Sequence, residues 1–436
     1  MQPFKQRLYA LFHRVRQKIP SIESDFLPYI AFVFMPCAVL SVHSLNAIAI
    51  ASVLLVCVRC SRERKKLLVL WQKIPLFVLC DMGVFLLWIA TTCCWASDVS
   101  LSLSRAIKVI NCIVFGGFLS LSLMQETQEE KTVCFFERGL LLALCLLVFE
   151  FASHGFIRHY ILPVKGYEPE SYKWASMINT YNQQACAVGI VIWPLIGHLV
   201  LRREWNPLKW IAFLSLCTFF VAGNEGTRMA FFAGFVAFCG TWYWEKKFLC
   251  FFRIITLIGI GSAPFIIAEI PWDRIVSHMS QDVRKATNAH PRLCIWRHCV
   301  QRISERPLRG HGLWGLRADK LPEAVCVEEN GEQRKAIQKN IYVLHQHNMS
   351  LEIWQDLGFV GVLLFLFLLN ALFQVLQEAR IPIVLKSGFC ASLSAAFAMT
   401  AVCFSFWQSW WFFLLCLIAP IIRALIIVNR NREGIL

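Results

Sequence analysis

Charge is scarce in this chain. Only 16% of its 436 residues are Asp, Glu, Lys or Arg, against 57% hydrophobic residues that include 35 Phe and 16 Trp. That is too little charge to cover the apolar surface of a soluble fold, so the solvent around most of the chain is lipid. Other absences narrow the field. Short strand-like runs of alternating polarity are missing, which argues against an outer-membrane barrel. No A-x-A-like cleavage site follows the basic N-terminal arm, so the arm is expected to lead into a retained span. D-x-D, the carboxylate pair that commonly holds Mg²⁺ or Mn²⁺ beside a phosphate, does not occur. Neither G-x-S-x-G nor a Walker-type phosphate loop is present. No internal repeat of the kind many transporters carry is visible.

What is there is a series of apolar runs of roughly twenty residues, the length a helix needs to cross about 30 Å of hydrocarbon. The runs predict an all-α polytopic membrane protein of about twelve transmembrane helices, at 26–42, 44–59, 75–95, 105–124, 134–152, 180–200, 209–222, 229–244, 249–270, 349–375, 385–404 and 406–427. Lys and Arg in short connections resist translocation. The arm with Lys5, Arg7, Arg14, Arg16 and Lys18 and the loop with Arg62, Arg64, Lys65, Lys66 and Lys73 therefore mark the cytoplasmic side. Alternation adds Arg202, Arg203, Lys246, Lys247, Arg380, Lys386, Arg430 and Arg432 to that side, with both termini. The expected organisation is a basic arm at 1–25, nine spans within 26–270, a large far-side (periplasmic) loop at 271–347, three spans within 348–427 and a tail at 428–436.

The net charge of +15 is concentrated in cytoplasmic loops, where topology explains it without nucleic acid. Most of the 19 Cys, such as Cys134, Cys145, Cys239 and Cys416, lie inside spans and read as small apolar packing residues. Cys294, Cys299 and Cys326 lie in the large loop and could supply one bridge, but their spacing does not select a pair.

The 271–347 loop is the one long polar segment, too long to be structureless in a compact protein. Pro291 opens a predicted helix whose Leu293, Trp296, Val300 and Ile303 recur at helical spacing, with Arg292, Arg297 and Arg302 at its other positions and Pro307 ending it. Arg309-Gly310-His311-Gly312-Leu313-Trp314-Gly315 follows, and its glycines allow a tight turn with exposed backbone N–H groups. Then comes His345-Gln346-His347-Asn348 at the mouth of the tenth span, with Glu352 and Asp356 one and two turns deeper.

An ionisable group at a span boundary is costly unless it is paired or faces water, so it is a candidate for function. Arg228 heads the eighth span on the far side, where topology does not call for a lone arginine, and suits a phosphate. Arg292, at a helix N-terminus, suits one for the same reason, because its guanidinium fork and the helix end both favour an anion. Arg297 and Arg317 are weaker candidates of the same kind. His347 is a candidate general base for a sugar hydroxyl, with Asn348 as a possible orienting partner, and His345 competes for that role.

These residues carry a resemblance to the O-antigen ligase family of polytopic inner-membrane glycosyltransferases, which shares a domain with O-antigen polymerases and bacterial O-linked oligosaccharyltransferases. The family pattern of His-Asn, Ser or Gln, nine residues, Gly, two residues, Gly is matched by His347-Asn348, Gly358 and Gly361. Arg292 to Trp296, followed by Pro307, Gly310 and Gly312, is similar to the family's arginine–tryptophan helix and proline–glycine turn. Arg228 corresponds to the family's arginine after the seventh span, although Thr227 stands where Ser is frequent.

The resemblance selects His347 over His345 and implies a GT-C-like glycosyltransferase of the bacterial inner membrane. The implied donor is a glycan on undecaprenyl pyrophosphate and the implied acceptor a sugar hydroxyl of lipid A core, joined by inversion without metal or cofactor. His347 would be the general base, Arg228 and Arg292 the pyrophosphate clamp, and Gly358 and Gly361 points of close approach for helices or a polyprenyl chain. The alternatives are an O-antigen polymerase, a protein O-oligosaccharyltransferase and a non-enzymatic lipid or glycan transporter. A transporter would be expected to carry paired charges within its helices and repeated halves, which the sequence does not display.

Overall fold

The computed structural model describes residues 25–60, 74–153, 156–157, 182–202, 225–271, 274, 278, 289–314, 346–402 and 404–432. The fold is all-α. Eleven helices succeed one another among the described residues: α1 Leu27–Leu40, α2 Ser44–Cys60, α3 Leu76–Thr92, α4 Val99–Leu123, α5 Glu129–Ala152, α6 Asn182–Leu201, α7 Glu225–Glu269, α8 Ala289–Glu305, α9 Met349–Glu378, α10 Ile383–Thr400 and α11 Ser409–Arg432. Eight stretches among them are long and apolar enough to cross a membrane, and Leu27–Leu40 and Ser44–Cys57 are shorter apolar helices. The span expected at 209–222 lies outside the described residues.

Local chemistry sets several boundaries. Asp98 caps α4 by accepting from Leu101 N at 2.9 Å. Pro75 and Pro382, which have no N–H to contribute, stand just before α3 and α10. α7 folds back on itself at Glu245, whose backbone is non-helical (φ 15°, ψ −92°). Its two arms pack together, with the Phe248 ring against Gly240, and Ala237 and Leu249 share a cluster with Cys390 of α10. One continuous helical stretch thus supplies the two spans expected at 229–244 and 249–270.

The buried apolar residues form two main clusters. The larger joins α1, α2, α4, α5, α6, the first arm of α7, α10 and α11, around Phe34, Phe136, Trp193 and Trp410. The second joins α3, α4, the second arm of α7 and α9, and α8 docks onto it through Ile295, Cys299 and Ile303. The loop helix therefore exists, but its deepest stripe is rotated from the expected one. Trp296 and Val300 are only partly buried, because the face offered by α9 lies one residue round the helix.

The expectation that no charges pair inside the helices is corrected. Glu137 of α5 accepts from Arg202 Nη1 at 3.1 Å and lies 3.2 Å from Nε2 of the fully buried His198 of α6. Asn429 of α11 completes the group, its Nδ2 standing 2.8 Å from His198 Nδ1. A buried carboxylate is held by such partners or not at all. They lie on three helices far apart in sequence, so no linear pattern displays them.

Candidate functional site

The apolar run after His347 reads as one long helix, but Gly358 breaks it (φ 65°, ψ −172°) into segments 349–357 and 359–378. A break strands backbone donors and acceptors that must be satisfied elsewhere. The turn at 306–312 satisfies them. His311 N donates to Gln355 O at 2.8 Å and Gly312 N to Asp356 O at 2.9 Å, while Phe359 N donates to Pro307 O at 2.8 Å and Val360 N to Leu308 O at 3.3 Å. Trp88 Nε1 of α3 takes Leu357 O at 2.8 Å. The amides of this turn are therefore not exposed as expected, because they cap the broken helix. A Cβ at Gly310 or Gly358 would lie 2.5–2.6 Å from backbone atoms of the other strand of this junction, and both residues have positive φ. The close approach at Gly358 is thus made by the turn, while at Gly361 the space is occupied by the chain's own Leu357 side chain.

α3 and its 3-10 extension brace the turn from outside. Trp95 Nε1 donates to Gly310 O at 3.2 Å, Arg306 Nη1 donates to Trp95 O at 3.0 Å, and Arg105 stacks on Trp314 with 3.3 Å from guanidinium carbon to ring centre. His311 is buried. Its Nε2 lies 2.7 Å from Arg302 O and its Nδ1 3.4 Å from Arg302 Nη2. Burial, together with the charges of Arg302 and Arg306, holds its pKa below the ordinary histidine value against opposing contributions from the Arg302 carbonyl and Glu305.

Segment 349–357 is tied down on its remaining sides. Trp354 Nε1 donates to Ile260 O of α7 at 3.0 Å. Glu352 accepts from Ser405 Oγ at 2.5 Å and Phe406 N at 2.7 Å, and Asp356 accepts from Trp407 Nε1 at 2.8 Å. The two buried acids, one helical turn apart, therefore hold the α10–α11 connection rather than facing an open space. Beneath α8, burial pushes the Cys299 thiol well above its ordinary range, with the charges of Asp356 and Glu352 adding to the effect. Cys299 is a free thiol.

At the start of this segment sits His347, half-buried, with a left-handed backbone (φ 50°) that an L-residue adopts only when its surroundings impose it. The imposing contacts lie on both sides. Asn348 caps α9, its Oδ1 accepting from Leu351 N at 3.1 Å. Trp296 Nε1 of α8 donates to Gln346 O at 3.0 Å, and Gln346 Nε2 reaches Gln355 Oε1 at 3.4 Å. The nine-residue spacing now has a physical meaning. Asn348 is the cap, residues 349–357 are two and a half turns of helix, about 13 Å long, and Gly358 is the break.

The arginines come from two other helices. Arg292 is half-buried in the first turn of α8, four residues before Trp296 and so on the same face as the side chain that clamps Gln346. Arg297 is half-buried next to Trp296. Arg228 is exposed in the first turn of α7, where the neighbouring Thr227 Oγ1 lies 3.5 Å from Cys186 Sγ of α6. The structure sets these residues at the two ends of segment 349–357: Trp296, His347 and Asn348 at its start, with Arg292 one turn away along α8, and Gly310, Gly312 and Gly358 at its break. Arg317, His345 and Cys326 lie outside the described residues.

Residues 210–366 match the family model described as O-antigen ligase. The chain is also similar to proteins provisionally named polysaccharide ligases. It is 23% identical over 335 residues to one from Rickettsia conorii and 22% identical over 343 residues to one from Rickettsia felis, each alignment covering 75% of both chains. One from Rickettsia bellii is 24% identical over 338 residues, covering 74% of both. Over residues 210–366 the chain is similar to the O-antigen ligase family. The similarity supports a glycosyl-transferring enzyme, and the apolar helices make it a multi-pass membrane protein.

The segment shared with the ligase family model spans α7, α8 and α9 as far as Leu366, and so contains the broken helix and the turn that fills it. The supports from outside that segment were missed by sequence reasoning: Trp88 and Trp95 before it, and Ser405, Phe406 and Trp407 after it. A signal for part of this was present. Two acids one turn apart in an apolar span need buried donors, and the Trp-rich stretch Phe406-Trp407-Gln408-Ser409-Trp410 supplies them.

Proposed function

We propose that this protein transfers a glycan from undecaprenyl pyrophosphate to a sugar hydroxyl of lipid A core, at the His347 end of the bundle and on the periplasmic face of the bacterial inner membrane. The acceptor oxygen attacks the anomeric carbon from the side opposite the pyrophosphate. The new C–O bond forms as the bond from the anomeric carbon to the pyrophosphate oxygen breaks, which inverts the linkage. His347 takes the hydroxyl proton as general base. Arg228 and Arg292 neutralise the departing pyrophosphate, with Arg297 in reserve on the same helix, so no metal is called upon.

The observation that carries this reading is the backbone of His347. The backbone of half-buried His347 is held in a left-handed conformation at a helix mouth by a cap on one side and an indole clamp on the other. A backbone held in this way suits a group that must meet a substrate proton at a fixed place. The distribution of Lys and Arg supports the sidedness, since Lys246, Arg380, Lys386 and Arg430 all stand at the other end of the bundle.

The test is transfer by purified protein from an undecaprenyl-pyrophosphate glycan to rough lipopolysaccharide in the presence of chelator. Arg228→Lys and Arg292→Lys are each expected to lose at least tenfold in kcat, because a point charge replaces a two-pronged donor. Full activity in both variants would remove the pyrophosphate clamp. Elongation of the donor glycan without transfer to lipopolysaccharide would move the assignment from ligase to polymerase.

A further inference from the structure

A second site lies at the other end of the molecule. α9 runs away from His347 to Glu378, and α11 runs from beside the segment held by Glu352 and Asp356 to Arg432, so their last turns mark the end opposite the candidate active site. A cavity of about 970 Å³ opens there between the fold-back of α7, the α9–α10 connection and the last turn of α11. Its charged wall consists of Lys246, Arg380, Lys386 and Arg430 against Glu245 and Glu378.

The carboxylates do not neutralise that wall. Lys386, 3% exposed, holds Glu245 Oε1 at 2.7 Å, so one acid is already engaged. Arg430 Nε is buried with no acceptor among the described residues, and buried guanidinium N–H groups are normally hydrogen-bonded. Lys246 and Arg380 are exposed at the rim. Just before the fold-back, Trp242, Tyr243 and Trp244 are exposed by 41, 76 and 65%, an aromatic group of the kind that sits at headgroup level. The cavity is too cationic for a metal ion and lies where a headgroup would reach it.

We propose that this cavity binds a phosphate-bearing anion, with Arg430 Nε as the buried donor and Lys246 and Arg380 closing over it from the rim. A guanidinium fork and two mobile ammonium or guanidinium groups match phosphate oxygens, and basic pockets between membrane helices take anionic headgroups. The site is independent of the proposed transfer reaction, since it shares no residue with the His347 cluster.

The experiment uses the full chain in phosphatidylcholine nanodiscs. In one arm phosphatidylglycerol is titrated in and lipid retained on the released protein is counted by native mass spectrometry. In the other, inorganic pyrophosphate alone is added and the melting temperature followed. Wild type is compared with Arg430→Gln and with the rim pair Lys246→Gln/Arg380→Gln, whose exposed positions leave packing intact. Retention of phosphatidylglycerol that weakens at least tenfold in the variants identifies a lipid headgroup. A pyrophosphate-dependent rise in melting temperature that the variants lose identifies a soluble phosphate. Equal retention and equal response in wild type and the rim pair would overturn the proposal.

Discussion

His347 at φ 50° and Gly358 at φ 65° bracket one short helical segment, and both depart from the conformations ordinary side chains prefer. At Gly358 the reason is steric as well as torsional, since a Cβ there would lie 2.5 Å from Leu308 O and Gly310 N. A left-handed conformation alone costs an L-residue about 1–2 kcal/mol, and the junction's hydrogen bonds hold both backbones, so neither can withdraw. Gly358→Ala is therefore expected to lower stability by at least about 2 kcal/mol, read as a fall in melting temperature of the detergent-solubilised protein, and to depress transfer with it. Unchanged melting would mean the junction is more pliant than its hydrogen bonds indicate. The sequence displayed Gly358 as half of a motif and suggested a helix neighbour or a polyprenyl chain as the reason. The actual neighbour is the 306–312 turn, some fifty residues earlier, and such a pairing leaves no trace in local pattern.

Among the elements, α8 links recognition to chemistry. Its buried side, through Ile295, Cys299 and Ile303, fixes it on α9, and Trp296 Nε1 then takes the carbonyl next to His347. Trp296→Phe keeps most of the apolar contact but leaves Gln346 O without its donor, a loss of roughly 1 kcal/mol. We expect kcat to fall several-fold with KM for the lipid-linked donor nearly unchanged, because the base is loosened while the arginines stay in place. A rise in KM with kcat preserved would instead make Trp296 a direct sugar contact. The helices themselves were largely legible: α1 to α6, both arms of α7, and α9 to α11 fall on apolar runs of spanning length. α8 was legible as a helix but not in rotation, since its apolar positions could be read as either of two stripes and only the face of α9 selects between them.

For the molecule as a whole, the two ends differ in chemistry. One carries the half-buried His347 and Arg292, and the other the cationic cavity around Arg430. If the first faces the periplasm, alkaline phosphatase fused after Arg309 will be active in cells and the same enzyme fused after Arg380 inactive. The reverse pattern would invert the proposed topology. Buried polar groups such as Glu137, His198 and Asn429, drawn from three helices, show why composition could establish the solvent yet not the interior. The central claim is that His347 is the base of the transfer reaction. Single-turnover transfer from undecaprenyl-pyrophosphate glycan to rough lipopolysaccharide, with chelator present, tests it most directly by comparing wild type with His347→Ala. Loss of general-base catalysis predicts a rate lower by about 10²–10⁴-fold, with donor binding retained, and a His347→Ala rate equal to wild type would contradict it.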